Sequence, residues 1–509
     1  MNHLLIFPIL VPLVTGITLL LAYRQSTLFH RLVSVTSTLV LTLIGTLLVA
    51  QADTGIHQVY ALGNWPAPFG IMLVLDRLSA LMVLLTAIVA LLTSLYACSG
   101  SDREGPHFHT LFQFQLMGLN GAFLTGDLFN LFVFFEVLLI ASYTLLLHGG
   151  GKSRSGSAMH YVALNLLNSL LFLIALGTLY GTLGTLNMAD MASAVTQADP
   201  ADLPLIQTGG LLLLVVFTLK AAMLPLLFWL PWAYSSAPAP VAALFAIMTK
   251  VGVYSIVRVY TLVFGPLAGD LANLAEPWLW PLSLATIGIG ALGAFSASHL
   301  RVTVAWLVVL SAGTLLATFS LGNADSLAAL LYYTLHTTFA TAALFLLAGL
   351  IRSQRGSAED ALVAAPPMHR PWALGVLFIF AAMAVIGLPP FSGFVAKLLI
   401  LASADTANTT FWLWTLVLGG GLLVLITLSR AGSTLFWKHS EGTFREAPPL
   451  EGAALVATVA MVALSPALAL WGEPVADYAA ATAEQLQAPQ AYIDAVLGVK
   501  TIGATEVSP

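Results

Sequence analysis

Runs of about twenty apolar residues, unbroken by charge, recur along this chain, and a helix needs such a run to cross the hydrocarbon core of a bilayer. There are about fourteen of them, centred near residues 12, 41, 86, 117, 138, 170, 219, 252, 287, 312, 338, 388, 420 and 461. The fourth and fifth are separated only by Thr125-Gly126-Asp127. A membrane β-barrel would instead show alternating segments of about ten residues. The expected fold is an all-α polytopic membrane protein. Composition agrees: 8% of the 509 residues are charged and 59% are apolar, against roughly 25% charged in soluble domains. That excludes a water-soluble enzyme and a disordered chain. A net charge of −5 and no basic stripe exclude a nucleic-acid partner. One cysteine, Cys98, excludes a disulfide framework and a multi-cysteine metal cluster. Met1–Leu21 lacks a basic leader and an A-x-A cleavage site, so it reads as the first membrane helix rather than a signal peptide.

Charge orients the spans. Arg24, Arg31, Arg103, Lys152, Arg154, Arg301, Arg352, Arg355, Arg370, Arg430, Lys438 and Arg445 fall in loops on one side if the spans alternate in direction. The opposite loops hold Asp190, Asp199, Asp202, Asp270 and Glu276 and no basic residue. By the positive-inside rule the basic side is cytoplasmic. Both termini then lie on the outer side of the membrane. The Ala/Gln-rich tail from Glu473 to Pro509, with Lys500, is expected at that outer surface.

Five basic residues remain inside the spans: Arg77, Lys220, Lys250, Arg258 and Lys397. Glu136 is an acid well inside the fifth span, while Asp76 and Asp127 stand near helix ends. A charge at the bilayer centre costs about 2.5–3.5 kcal/mol on insertion scales, so each of these residues is a functional candidate. Each also has a structural reading. Glu136 suits an ion pair between two helices as well as a proton carrier. Lys220 precedes Pro225, which cannot donate to the Ala221 carbonyl, so the seventh span is expected to break there or simply to kink. Lys397 follows Gly387-Leu388-Pro389-Pro390-Phe391-Ser392-Gly393, which should interrupt the twelfth span. His336, in the eleventh span, suits packing or a proton relay, since histidine titrates nearest neutral pH. Arg258 stays protonated and suits a fixed counter-charge. Arg77 pairs most simply with Asp76 or an acid elsewhere. His299 and Arg301 stand where a cytoplasmic inlet would begin.

A broken helix with a lysine thus occurs twice, five spans apart. An odd offset reverses direction, so spans 4–8 and 9–13 read as inverted repeats, a transporter signature. The domains expected are residues 1–110 (spans 1–3), 111–265 (first repeat), 277–430 (second repeat) and 431–509 (a loop, span 14 and the outward tail).

The run from Gly118 to Tyr143, GLNGAFLTGDLFNLFVFFEVLLIASY, resembles the antiporter-like subunits of respiratory complex I. More narrowly, the chain resembles the D subunit of the multi-subunit Mrp-type Na⁺/H⁺ antiporter, over essentially its whole length. The resemblance implies a relay glutamate in span 5, lysines in spans 7 and 8, a histidine in span 11 and a lysine or glutamate in span 12. Those positions are Glu136, Lys220, Lys250, His336 and Lys397, with Pro225, Pro389 and Pro390 at the helix breaks. Lysine at the last position argues against the M subunit of complex I. A short tail argues against the longer L subunit of complex I and the Mrp A subunit. The N subunit of complex I stays a close competitor.

The resemblance also implies the Mrp A, B, C, E, F and G subunits as partners, H⁺ and Na⁺ as transported ions, and no cofactor. Glu136 is expected to pair with Lys220, and the proton to pass Lys250, His336 and Lys397. No carboxylate-rich metal site for Na⁺ is readable, so its route is unknown. The alternatives are a proton-pumping component of a redox complex (like the N subunit of complex I, or part of a membrane hydrogenase), a self-sufficient transporter of an organic solute, and a paralogue that no longer conducts.

Overall fold

The structure is a computed structural model that describes residues 3–438, 440 and 449–498. Arg445 and Lys500 lie outside the described residues. Among the described residues twelve helices are long and apolar enough to cross a membrane.

The first three expected spans are α1 (Phe7–Leu21), α2 (Thr27–Ala52) and α3 (Arg77–Ala97). Between the last two lies a hairpin absent from the sequence reading, β1 (Gln58–Ala61) and β2 (Met72–Leu75). It pairs antiparallel with Gln58 opposite Leu75. The first expected repeat follows as α4 (Phe108–Leu124), α5 (Leu128–Leu147), α6 (Lys152–Leu183), the short α7 (Met188–Thr196), α8 (Leu203–Ala221), α9 (Trp229–Ser236), α10 (Ala239–Phe245) and α11 (Met248–Leu262). The second holds α12 (Glu276–Ser296), α13 (Leu300–Phe319), α14 (Ala324–Gln354), α15 (Pro371–Ile386), α16 (Ser392–Ala402) and α17 (Ala407–Trp437). Last come α18 (Gly452–Leu470), α19 (Gly472–Gln487) and α20 (Pro489–Leu497). Two expected runs fall outside the twelve: α4, with 17 residues, and the twelfth run, divided into α15 and α16.

Side-chain caps fix several helix starts. Ser26, Asp76, Asp127, Asn187, Asn323 and Thr406 each accept a first-turn amide proton, of α2, α3, α5, α7, α14 and α17 respectively. Such caps satisfy donors that helix geometry leaves unpaired. The Thr125-Gly126-Asp127 step is stitched by backbone: Gly126 N–H donates to Met72 O, and Leu128 N–H to Leu186 O. Inside the bundle the contrast between helices is steep. Every residue of α11 is buried, while α2, α6 and α17 expose long rows of leucines and other apolar side chains.

The tail is more than a surface appendage. Tyr478 on α19 donates to the Arg77 carbonyl at 2.9 Å, and Gln485 accepts from the Arg77 amide at 3.1 Å. On α20, the Tyr492 ring lies 5.3 Å from the Arg258 guanidinium. The tail therefore docks over the start of α3 and the end of α11. Two pairings change with it. Asp76 binds Arg258, at 2.6 and 2.8 Å, as the counter-charge reading of Arg258 requires. Arg77 turns away from Asp76 to Asp53.

Candidate functional site

A buried ammonium must keep hydrogen-bond acceptors around it. Lys220, in the last turn of α8, is 1% exposed. Its Nζ donates to Asn165 Oδ1 of α6 at 3.2 Å and stands 5.9 Å from the centre of the Phe135 ring. Asn165 donates its own Nδ2 to the Tyr161 carbonyl, which turns Oδ1 toward the lysine. One turn on, the Ser169 hydroxyl donates to the Glu136 carboxylate and lies 3.0 Å from the Asn165 carbonyl. The direct Glu136–Lys220 ion pair expected from sequence is therefore replaced by a link through Ser169 and Asn165. The reason is packing: α6 lies against both α5 and α8, and its polar side chains fill the space between them.

Beyond Lys220 the helix stops. Ala222 takes the left-handed conformation at φ +59°. Its N–H donates to Leu219 O, and that of Met223 to Thr218 O, a Schellman ending with alanine in the glycine position. The Trp229 indole N–H, from the next helix, also donates to Leu219 O at 3.1 Å. Leu224 N–H donates to Thr286 of α12 at 3.0 Å. Pro225 sits within the non-helical stretch and brings no N–H of its own.

Lys250 lies just after an interruption of two residues, Ala246 and Ile247, that the sequence reading did not anticipate. Its Nζ donates to Ser311 of α13 at 3.2 Å. Close approach brings this helix to the first break. A Cβ added at Gly252 would lie 2.5 Å from the Ala221 amide nitrogen, so a glycine is what lets α11 seat against the end of α8.

Ser311 opens onto a cavity of about 20 Å³ lined also by Thr314, His336, Lys397 and Gly421. That is room for about one water molecule. Three of the candidates thus meet at one space: Lys250 through its serine, and His336 and Lys397 directly. His336 is 2% exposed, and its Nδ1 lies 2.8 Å from Ser392 Oγ of α16. The nearby threonines do not hold it. Thr334, Thr338 and Thr341 turn back onto carbonyls of their own helix.

At the second break α15 ends at Ile386 and Gly387 follows at φ +88°. Pro389 and Pro390 complete the turn before α16. Lys397 reaches back, donating to Ile386 O at 2.7 Å and Val385 O at 3.2 Å. A cation at a helix C-terminus is favourably placed. Glu136 and Lys397 are half-buried, whereas Lys220, Lys250 and His336 are buried.

Arg301 lines a cavity of about 530 Å³ with Arg154, Arg352, Glu104, Glu359 and Glu451, on the side of the loops expected to be cytoplasmic. Its guanidinium binds Asp360 and Glu359 at 2.9 Å each. Burial pushes the Asp360 carboxyl up, but the hydrogen bond and charge of Arg301 outweigh it and hold the group below the usual carboxylate range.

Sequence reasoning missed Asn165, Ser169, Ser311 and Ser392. None is charged, so none stood out in a search for charges. The signal for two of them was there: Asn165-x-x-Asn168-Ser169 sets amides and a hydroxyl on one face of an otherwise apolar run.

Residues 125–424 match the family described as NADH:quinone oxidoreductase/Mrp antiporter, transmembrane. The chain belongs to this family. It is 38% identical to the D subunit of a probable K⁺/H⁺ antiporter of Rhizobium meliloti, over 99% of each chain. It is 37% identical to the D subunit of the Na⁺/H⁺ antiporter of Bacillus subtilis, over 98% of this chain and 100% of that one. Among solved structures it resembles a chain of the Mrp complex from a Dietzia species, with a TM-score of 0.85, 28% identity, and 98% and 100% of the two chains covered. It is a multi-span membrane protein of the antiporter-like fold.

Proposed function

We propose that this chain is the proton-translocating D subunit of a multi-subunit monovalent cation/proton antiporter, moving protons along Glu136, Lys220, Lys250, His336 and Lys397. The observation that carries the reading is the cavity that joins Ser311, the partner of Lys250, to His336 and Lys397. His336, Lys397 and Ser311 share this space with apolar side chains such as Leu307, Val385 and Leu416, inside a bundle whose buried residues are mostly apolar. Full-length identity of 37–38% to the D subunits of two antiporters favours an antiporter over a redox-driven complex.

The proton enters near the Arg301 cavity and reaches the lysine row through Glu136 and its α6 bridge. It moves from Lys220 to Lys250, crosses the cavity by water and meets His336 and Lys397. Residues 111–265 and 277–430 act as inverted halves, with spans 7 and 12 broken at Pro225 and at Pro389 and Pro390. Both termini face outward across a bacterial cell membrane of about fourteen spans. The half-buried ends, Glu136 and Lys397, face neighbouring subunits of the complex. The relatives divide between K⁺ and Na⁺, so the proposal extends to a monovalent cation, whose route lies in the assembled complex.

The test is cation-driven proton movement in everted vesicles carrying the whole complex, with Na⁺ and K⁺ added separately. Glu136→Ala, Lys220→Ala and Lys397→Ala should each lower the rate by about 10²-fold or more, with assembly checked by co-purification. Assembled variants that exchange at the wild-type rate would overturn the relay.

A further inference from the structure

His336 faces two ways. One side of its ring lines the cavity shared with Lys397. The other leads out of it: Nδ1 lies 2.8 Å from Ser392 Oγ, and Ser392 Oγ lies 2.8 Å from Ser465 Oγ of α18. All three residues are buried, at 2%, 0% and 3% exposure. Lys397, by contrast, spends its ammonium on the carbonyls of Val385 and Ile386. The ring's hydrogen bond therefore points toward α18 and away from the end of the row.

These two serines differ in what they donate to from several hydroxyls of α13, α14 and α18. Ser311, Thr334, Thr338, Thr341 and Thr458 each donate to a carbonyl three or four residues back on their own helix. Ser392 and Ser465 instead bond side chain to side chain, and the N-cap of α16 is Phe391, without a side-chain cap bond. A hydroxyl both donates and accepts, so each contact can be crossed in either sense. Pro466 follows Ser465 and has no N–H for the Val462 carbonyl one turn before, which leaves a polar group beside the last hydroxyl. Ser465 is five residues from the end of α18 at Leu470, or about 8 Å of helix rise.

We propose that Ser392 and Ser465 form a branch that takes protons out of the row at His336 and delivers them along α18. The inference rests on the relay proposed above and adds its exit. An imidazolium at His336 gives its Nδ1 proton to Ser392 Oγ. Ser392 passes its own hydroxyl proton to Ser465, and Ser465 passes its own to a water hydrogen-bonded to it, the first of a short water file along the last turn of α18. One proton leaves, no hydroxyl keeps a charge, and rotation of the hydroxyls resets the chain. Lys397 is still required. A second cation on the same small cavity disfavours the imidazolium by like-charge repulsion and so drives the proton onto the branch.

The experiment uses the whole complex in everted vesicles. Ser465→Ala and Ser392→Ala should each lower cation-driven proton movement by about tenfold or more, while Ser465→Thr, which keeps the hydroxyl, stays near the wild-type rate. Wild-type rates in either assembled alanine variant would overturn the branch, and the relay would stand if His336→Ala still abolished exchange. Equal losses in Ser465→Ala and Ser465→Thr would also overturn it, since the hydroxyl would then not be what matters. Wild-type exchange in His336→Ala would overturn the relay itself and the branch with it.

Discussion

The two helix breaks look alike in sequence and are built differently. At the first, Lys220 lies before the break, inside the last turn of α8, and contributes nothing to closing it. The free carbonyls go to the backbone and to the Trp229 indole, and the ammonium goes across to Asn165. At the second, Lys397 lies beyond the break and closes it, holding the last two carbonyls of α15. If residues 111–265 and 277–430 are inverted repeats, chain order is preserved between them, and the two lysines are then not equivalent positions of one motif. The teaching is mechanical. Proton loss at Lys220 leaves its helix end intact, whereas loss of charge at Lys397 weakens the bonds that hold α15 to α16. Under the proposed relay, the second break responds to protonation and the first serves as a fixed frame.

Lys220→Met and Lys397→Met separate these roles most strongly. Both should cost transport by about 10²-fold, so activity alone will not divide them. Stability will. Lys397→Met removes charge-assisted bonds worth roughly 1.5–3 kcal/mol each and should lower the melting temperature of the purified complex. Lys220→Met opens no helix end and leaves a single buried acceptor, Asn165 Oδ1, without its donor, so its melting shift should be the smaller of the two. Equal melting shifts in the two variants would erase the distinction.

A smaller effect comes from Gly387→Ala. The left-handed φ of +88° strains any side chain, and a Cβ there would sit 2.9 Å from Lys397 Cδ. The variant should cost about 1–3 kcal/mol and displace the ammonium from its carbonyls. Chemical unfolding of the complex checks the first part, and partial loss of transport checks the second.

How much of this was legible depended on charge. The long runs, their order and the five titratable residues stand out because an apolar solvent makes each polar exception expensive. Pro225, Pro389 and Pro390 marked both breaks for a similarly local reason, the missing N–H. What escaped was what depends on which helices touch. Asn165 and Ser169 matter only because α6 fills the gap between α5 and α8, and no periodicity in α6 says which neighbours it will have. Asp76 finds Arg258 rather than Arg77 because the N-terminus of α3 abuts the end of α11, a contact 182 residues long in sequence. The docking of α19 and α20 was hidden for the same reason: Tyr478, Gln485 and Tyr492 are ordinary residues until the surface they cover is known.

The finest test uses a difference of one methyl group. Ala222 occupies at φ +59° the place that Gly387 occupies at φ +88° in the other break. A left-handed alanine carries a penalty of roughly 1–2 kcal/mol that glycine escapes, partly offset by the greater freedom glycine has in the unfolded chain. Ala222→Gly should therefore stabilise the protein, by about 0.5–1 kcal/mol, while leaving Lys220 on Asn165 and transport unchanged. If the first break is a fixed frame, relieving its strain changes melting and nothing else. A change in transport rate without a change in melting would mean that the left-handed alanine is part of the moving machinery, and that the two breaks are more alike in function than in construction.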